Sequence, residues 1–243
     1  MDRRLVASAV IAALYGTLLA GTAVPASAAT PAAAPGAIDC RRVKCVALTF
    51  DDGPVSDTQR LLRILKDRDV KATYYVVGKN VQANPSIVRT AAGAGHQIGN
   101  HSWDHPDLTR LSAAKIKSQL SRTDTVVKQA TGKKPSTLRA PYGAHNATVR
   151  QAAGRPLVHW SVDTLDWRYR DAARIIRTVK AQTKPGDIVL LHDIHKTTVD
   201  AVPGIITALK DRGFHFVTVD QLFAPTTLPA GKVTHHNRNA YRR

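Results

Sequence analysis

Two carboxylates stand side by side at Asp51 and Asp52, directly after the apolar run Val46–Phe50 and directly before Gly53 and Pro54. Adjacent like charges repel, so a pair at the tip of a buried run calls either for a cation or for a turn, where Asp is an ordinary residue. Further on, the stretch HSWDH places His101 and His105 four apart. On a helical turn, positions i and i+4 share one face, so both imidazoles could reach one ion. Adding a carboxylate, Asp51 or Asp52, makes a three-ligand set with an open position, the pattern of a catalytic rather than a structural zinc site. Zinc suits these donors; cobalt, nickel and iron are compatible with them. One aspartate then holds the metal and the other is free to move protons, and a cation beside the pair relieves its repulsion.

These residues need elements to carry them. VALTF, ATYYVVG, HQIGNH, STLRAPYG, PLVHWSVD, DIVLLH and FHFVTV read as strands, and amphipathic runs between them as helices. Ser56 stands as the cap of a helix running to Asp69, Ser112 as the cap of a long helix and Gly132 as its stop. Strands alternating with helices imply an α/β chain with about seven mainly parallel strands, doubly wound or closed as a barrel. Arg139, Asp163, Asp166 and His192 follow strand ends, as the aspartates and HSWDH do, and sites in parallel α/β folds are built at the carboxyl ends of strands.

The two ends of the 243-residue chain differ from its middle. Arg3 and Arg4, the apolar stretch from Leu5 to Val24 and Ala26-Ser27-Ala28 read as a cleavable signal peptide over residues 1–28, leaving no stable membrane span after processing. Residues 29–39 read as a flexible Ala/Pro-rich leader, 40–223 as the domain, and 224–243 as a basic, disordered tail hanging off it. Cys40 and Cys45, the only cysteines, suit a disulfide in a secreted chain. The net charge is +17, and +16 once Asp2, Arg3 and Arg4 leave with the signal. Such a charge favours association with an anionic cell wall; without aromatic-interleaved basic stretches, nucleic acid is not the expected partner. His96, His145, His159 and His215 have no companions nearby in sequence and read as structural. His195 reads as a rim or structural residue, and His235 and His236 as nonspecific metal contacts in the tail.

TFDDGP, HSWDH, RAPYG, DTLDW and LLH occur in that order between about Cys45 and Leu222. Together they resemble the polysaccharide deacetylases, the NodB-homology domain of carbohydrate esterase family 4. The resemblance implies a distorted (β/α) barrel, one divalent ion (Zn2+ or Co2+), and hydrolysis of N-acetyl, sometimes O-acetyl, groups on a glycan. It assigns Asp51 as general base, Asp52, His101 and His105 as metal ligands, and Arg139 as the residue orienting the base. The backbone N–H of Tyr142 becomes an oxyanion donor and His192 the general acid, tuned by Asp166 with Asp163 as second choice. Trp167, Leu190 and Pro141 line the substrate site. The expected product is a secreted or wall-associated monomer acting on chitin oligomers, peptidoglycan or acetylxylan. A catalytically silent wall-binding module and a small-amide hydrolase are the competing readings.

Overall fold

The structure, a computed structural model, describes residues 38–241; the signal peptide expected over 1–28 and most of the leader over 29–39 lie outside them. The elements run β1 (Lys44–Asp51), α1 (Ser56–Asp67), β2 (Thr73–Val76), α2 (Gly78–Ala83), α3 (Pro85–Gly93), β3 (Gln97–Asn100), α4 (Ala113–Thr131), α5 (Ala147–Ala153), β4 (Leu157–Val158), β5 (Val162–Asp163), α6 (Asp166–Tyr169), α7 (Ala172–Gln182), β6 (Asp187–His192), α8 (Lys196–Lys210), β7 (Phe214–Phe216), α9 (Val219–Phe223) and β8 (Val233–Thr234). β1 is the hub. One edge pairs in parallel with β6 from Val46 to Asp51; the other pairs with β7 at Lys44–Val46 and β2 at Thr49–Asp51. β3 follows β2, Leu138 bridges Asn100 to Leu157, and the segment bearing β4 and β5 returns to β6. The path closes on itself, giving the distorted α/β barrel.

Alternation along the strands decides what faces the site. Val46, Leu48 and Phe50 pack outward with Leu61 and Leu65 of α1 and with Val199, Val202 and Ile206 of α8. Cys45 and Ala47 point the other way, into a cluster with Tyr75, Val158 and Ile188. Side chains on a strand repeat every two residues, so Thr49 and Asp51 continue that inner face. β1 is buried on both faces from Cys45 onward, which is why it reads as a continuous apolar run rather than an alternating one. Each fully buried Val, Leu or Phe contributes about 1.5–3 kcal/mol. Cys40 and Cys45 are joined as a disulfide at the start of this strand.

Three local expectations are revised. STLRAPYG forms no strand, only a bridge at Leu138, because Pro135 and Pro141 on either side have no N–H to donate. PLVHWSVD splits into β4 and β5, interrupted at His159–Ser161. Ser56 is the first residue of α1 rather than its cap; the Val55 N–H instead donates to Thr58 Oγ1 at 2.9 Å. Ser112 does cap α4, and Gly132 ends it at φ 80°. Among the described residues no helix is long and apolar enough to cross a membrane.

The tail departs most from expectation. Instead of hanging off, β8 pairs in parallel with β4. The Asn237 N–H donates to Gly186 O at 2.7 Å, and Arg238 pairs with the fully buried carboxylate of Asp187. The reason is backbone accounting: Leu157 and His159 of the short β4 edge find acceptors in Lys232 O and Thr234 O, both from the tail. Gly186 sits at φ +86°, and a Cβ there would lie 2.7 Å from Asn237 C and O. Gly186→Ala is therefore expected to destabilise the fold by about 1–3 kcal/mol, read as a lower urea midpoint; an unchanged midpoint would show that the tail does not brace the barrel.

Candidate active site

Register sets the first pair. Asp51 is the Cα partner of His192 across β1 and β6, and Thr49 is the partner of Leu190. All four belong to the inner face, so the two strands deliver a carboxylate and an imidazole side by side. Asp51 meets Arg139, whose Nη1 donates to Asp51 Oδ1 at 2.8 Å and to Thr49 Oγ1 at 2.7 Å. Arg139 is fully buried; its Nε donates to Val158 O, its Nη2 to His159 O, and its guanidinium lies 4.2 Å over the Tyr75 ring. This leaves Asp51 Oδ2 turned toward His101 Nε2, 3.8 Å away.

Asp52 follows at φ 74°, so the chain turns left-handed immediately after β1 and its carboxylate swings away from that of Asp51. Its Oδ1 lies 3.4 Å from both His101 Nε2 and His105 Nε2. The two histidines share a target, but not through a helix. Ser102 and His105 both have positive φ (66° and 62°), and residues 101–107 form an irregular loop. Asn100 holds its start, accepting from the Ser102 N–H at 2.8 Å while its Nδ2 donates to Asp124 Oδ1. Gln119 accepts from the Trp103 N–H, and Ser102 Oγ from the His105 N–H. His101 Nδ1 is anchored on Arg139 O at 2.6 Å, the outer hydrogen bond that orients ligating histidines.

Asp52, His101 and His105 are the one set of three potential ligands found among the described residues, with donor atoms all within 4.8 Å of one another. Two imidazole nitrogens and a carboxylate oxygen at this spacing fit a divalent transition ion. Burial would raise the Asp52 carboxyl, but the hydrogen bond and charge of His101 hold it down at about 2. A ligand already ionised at every working pH suits a cation.

His192 has the opposite bias. Burial pulls its imidazole down, yet the hydrogen bond from Nδ1 to Asp166 Oδ1 (2.8 Å) and the carboxylate charges outweigh it and lift the ring to about 9. Asp166 is fully buried and saturated: its Oδ2 accepts from the His192 N–H and the Thr198 hydroxyl, both at 2.7 Å, and its Oδ1 from the Trp167 N–H. Asp163 accepts only the Leu165 N–H and touches the cavity instead. Of the two aspartates, Asp166 is the one placed on His192.

Asp51, Asp52, His101, His105, Tyr142, Trp167, Leu190 and His192 line one cavity of about 430 Å³ together with Ala140, Gly143, Trp160 and Asp163. Two larger hollows, of about 570 and 620 Å³, gather no such set. Tyr142 sits at φ 61°, its ring exposed and 4.7 Å from His105. Pro141 is buried and does not line the cavity. His195 lies 6.0 Å from His192, outside that lining. Trp160 had no signal in the sequence beyond being aromatic. Asp193 was also missed: it alternates outward from His192, its Oδ2 accepts from Thr58 Oγ1 at 2.6 Å, and its Oδ1 has no partner. Burial raises this carboxyl to about 7. A Cβ on Gly53 would lie 2.6 Å from both its oxygens, so the turn beside Asp52 accepts only glycine.

The chain is similar to proteins of known activity. A family model described as polysaccharide deacetylase matches residues 39–156. The chain is 47% identical over 181 residues to a peptidoglycan-N-acetylglucosamine deacetylase, PgdA, of Listeria monocytogenes, covering 74% of this chain and 39% of that protein. It thus spans about two-fifths of that relative's length. A chitin deacetylase of Pestalotiopsis sp is 35% identical over 223 residues, covering 86% and 75% of the two chains. Among solved structures, a T48 deacetylase with substrate superposes with TM-score 0.80 at 47% identity, covering 82% of this chain and all of that one. A family 4 acetyl xylan esterase from Clostridium thermocellum with a cobalt ion superposes with TM-score 0.75 at 32% identity, over 79% and 98%.

The Asp166–His192 pair makes a pH-dependent prediction. A ring lifted from 6.5 to about 9 has on the order of 3 kcal/mol of added preference for its charged form. The stability this brings is complete below about 6.5 and is lost as pH rises through about 9. In Asp166→Asn, the His192 titration followed by NMR should fall toward the ordinary value. The stability gap between wild type and variant should close between pH 6.5 and 9. A titration that stays near 9 in the variant would assign the shift elsewhere.

Proposed function

The chain belongs to the polysaccharide deacetylase family, and on that premise we propose that it is a secreted, metal-dependent hydrolase that removes N-acetyl groups from peptidoglycan outside the cell. What carries the reading is the meeting in one cavity of a three-ligand cation site, a carboxylate held by a buried arginine, and an imidazole charged by a buried aspartate. The likeness to peptidoglycan deacetylases supports the substrate class, and the net charge of +17 suits an anionic wall. The segment 1–28 supports export.

Asp52, His101 and His105 would hold a divalent ion, which when bound polarises the acetyl carbonyl and lowers the pKa of water. Asp51 is the base. Arg139 occupies its Oδ1, so Oδ2 is the oxygen left to take the proton as water attacks the carbonyl carbon. The pairing with Arg139 also fixes that carboxylate against rotation. The backbone N–H of Tyr142, at the cavity wall, stabilises the developing oxyanion. His192 is committed to Asp166 through Nδ1, so Nε2 donates the proton to the leaving amine nitrogen as the C–N bond breaks. Acetate and a free amine result. Trp167 and Leu190 form the apolar wall for the acetyl methyl.

Acetate release from peptidoglycan fragments should stop when the protein is stripped with chelator and return with Zn2+ or Co2+. Asp51→Asn and His192→Asn should each lower kcat by about 10²–10⁴-fold. Activity should decline as pH rises past about 9, where His192 loses its proton. Full activity in Asp52→Ala, or in metal-stripped protein, would falsify the cation site. Faster release from chitin oligomers or acetylxylan would reassign the substrate.

A further inference from the structure

Three histidines that are strangers in sequence meet beside the active-site cavity. The His159 ring centroid lies 4.9 Å from that of His145 and 5.0 Å from that of His235, matching the 5.0 Å between His101 and His105. They come from the loop before α5, from the break between β4 and β5, and from the residue after β8. His159 is buried and its Nε2 has no hydrogen-bond partner. A buried nitrogen without a partner calls for an explanation, and a bound ion is one.

The outer rings are anchored on carbonyls. His145 Nδ1 faces Gly143 O at 3.2 Å, and His235 Nδ1 faces Trp160 O at 3.3 Å. A carbonyl only accepts, so these nitrogens carry the protons and each Nε2 keeps a lone pair. His101 is held on Arg139 O in the same manner. Anchoring one ring nitrogen on a carbonyl is the usual preparation of a histidine for metal. Burial, then the neighbouring His145 and His235, drive the His159 ring down to about 3, so it stays neutral and offers an anion no charge.

We propose that His145, His159 and His235 form a second transition-metal site, for a borderline ion such as Zn2+ or Cu2+, separate from Asp52, His101 and His105. Neutral imidazoles are preferred donors for such ions. The three donor atoms do not all lie within 4.8 Å of one another, as those of the first set do, so binding turns the side chains of His145 and His235, which lie toward the surface. Trp160 stacks on His159 with centroids 5.7 Å apart and also lines the active-site cavity, making it a wall common to both places.

The test uses full-length, untagged, metal-stripped protein carrying Asp52→Asn, which disables the first set, dialysed to equilibrium against Cu2+ or Zn2+. This protein should still bind an ion, with nitrogen hyperfine structure in the Cu2+ EPR spectrum and quenched tryptophan fluorescence. Adding His159→Gln should abolish binding, and adding the surface change His235→Asn should weaken it about tenfold or more. His235→Asn decides the matter if His159→Gln fails to fold. Asp52→Asn protein that binds no ion, or that binds as tightly with His235→Asn as without it, overturns the proposal.

Discussion

Arg139 is a cation with no access to water, and much of the barrel is arranged to keep it satisfied. Burying a guanidinium costs several kcal/mol unless every donor finds an acceptor. Its acceptors come from β1 (Thr49 and Asp51) and from the carbonyls of Val158 and His159, with Tyr75 of β2 beneath its plane. The break between β4 and β5 follows from this. The His159 carbonyl turns to the guanidinium, so the segment cannot continue as one strand. Arg139 also lends its own carbonyl to His101. One side chain and its backbone thereby tie Asp51, His101 and the closing segment of the barrel into one arrangement, and removing it would leave Asp51 an uncompensated buried charge.

Around this cation, like groups meet unlike fates. Asp52 is held near 2 by His101 although burial opposes it, while Asp193, packed against the same turn, is raised to about 7 by burial with Thr58 as its one side-chain donor. His192 is lifted by Asp166, and His159, with other imidazoles for neighbours, is driven down. Residue type alone carries none of these assignments; which neighbour outweighs desolvation does.

The residues of the site were legible because they follow apolar runs, while their roles came from the likeness of five motifs to a family. Asp51 and His192 end apolar runs, and the two-residue repeat sends both inward. The division between Asp163 and Asp166 was not legible, since it depends on the Thr198 hydroxyl arriving from α8. HSWDH was read as a helical turn because four-residue spacing suggests one. Its real shape rests on Asn100 and on Gln119 from the distant α4, which support left-handed backbone at Ser102 and His105. The tail looked free because it lacks an apolar period, yet it answers unpaired backbone on β4 and the buried charge of Asp187. His145, His159 and His235 share no local signal at all; only barrel closure brings them together.

The β1–β6 register has one more consequence. Asp51 and His192 are neighbours on the last rung of the β1–β6 ladder, between two strands buried along almost their whole length. Their spacing is therefore set by the backbone pairing of two strands rather than by a loop or by the tail. Buried central strands are the elements that open last in native-state exchange. The spacing of His101 and His105 rests instead on a loop outside that ladder, held by side-chain hydrogen bonds from Asn100 and Gln119.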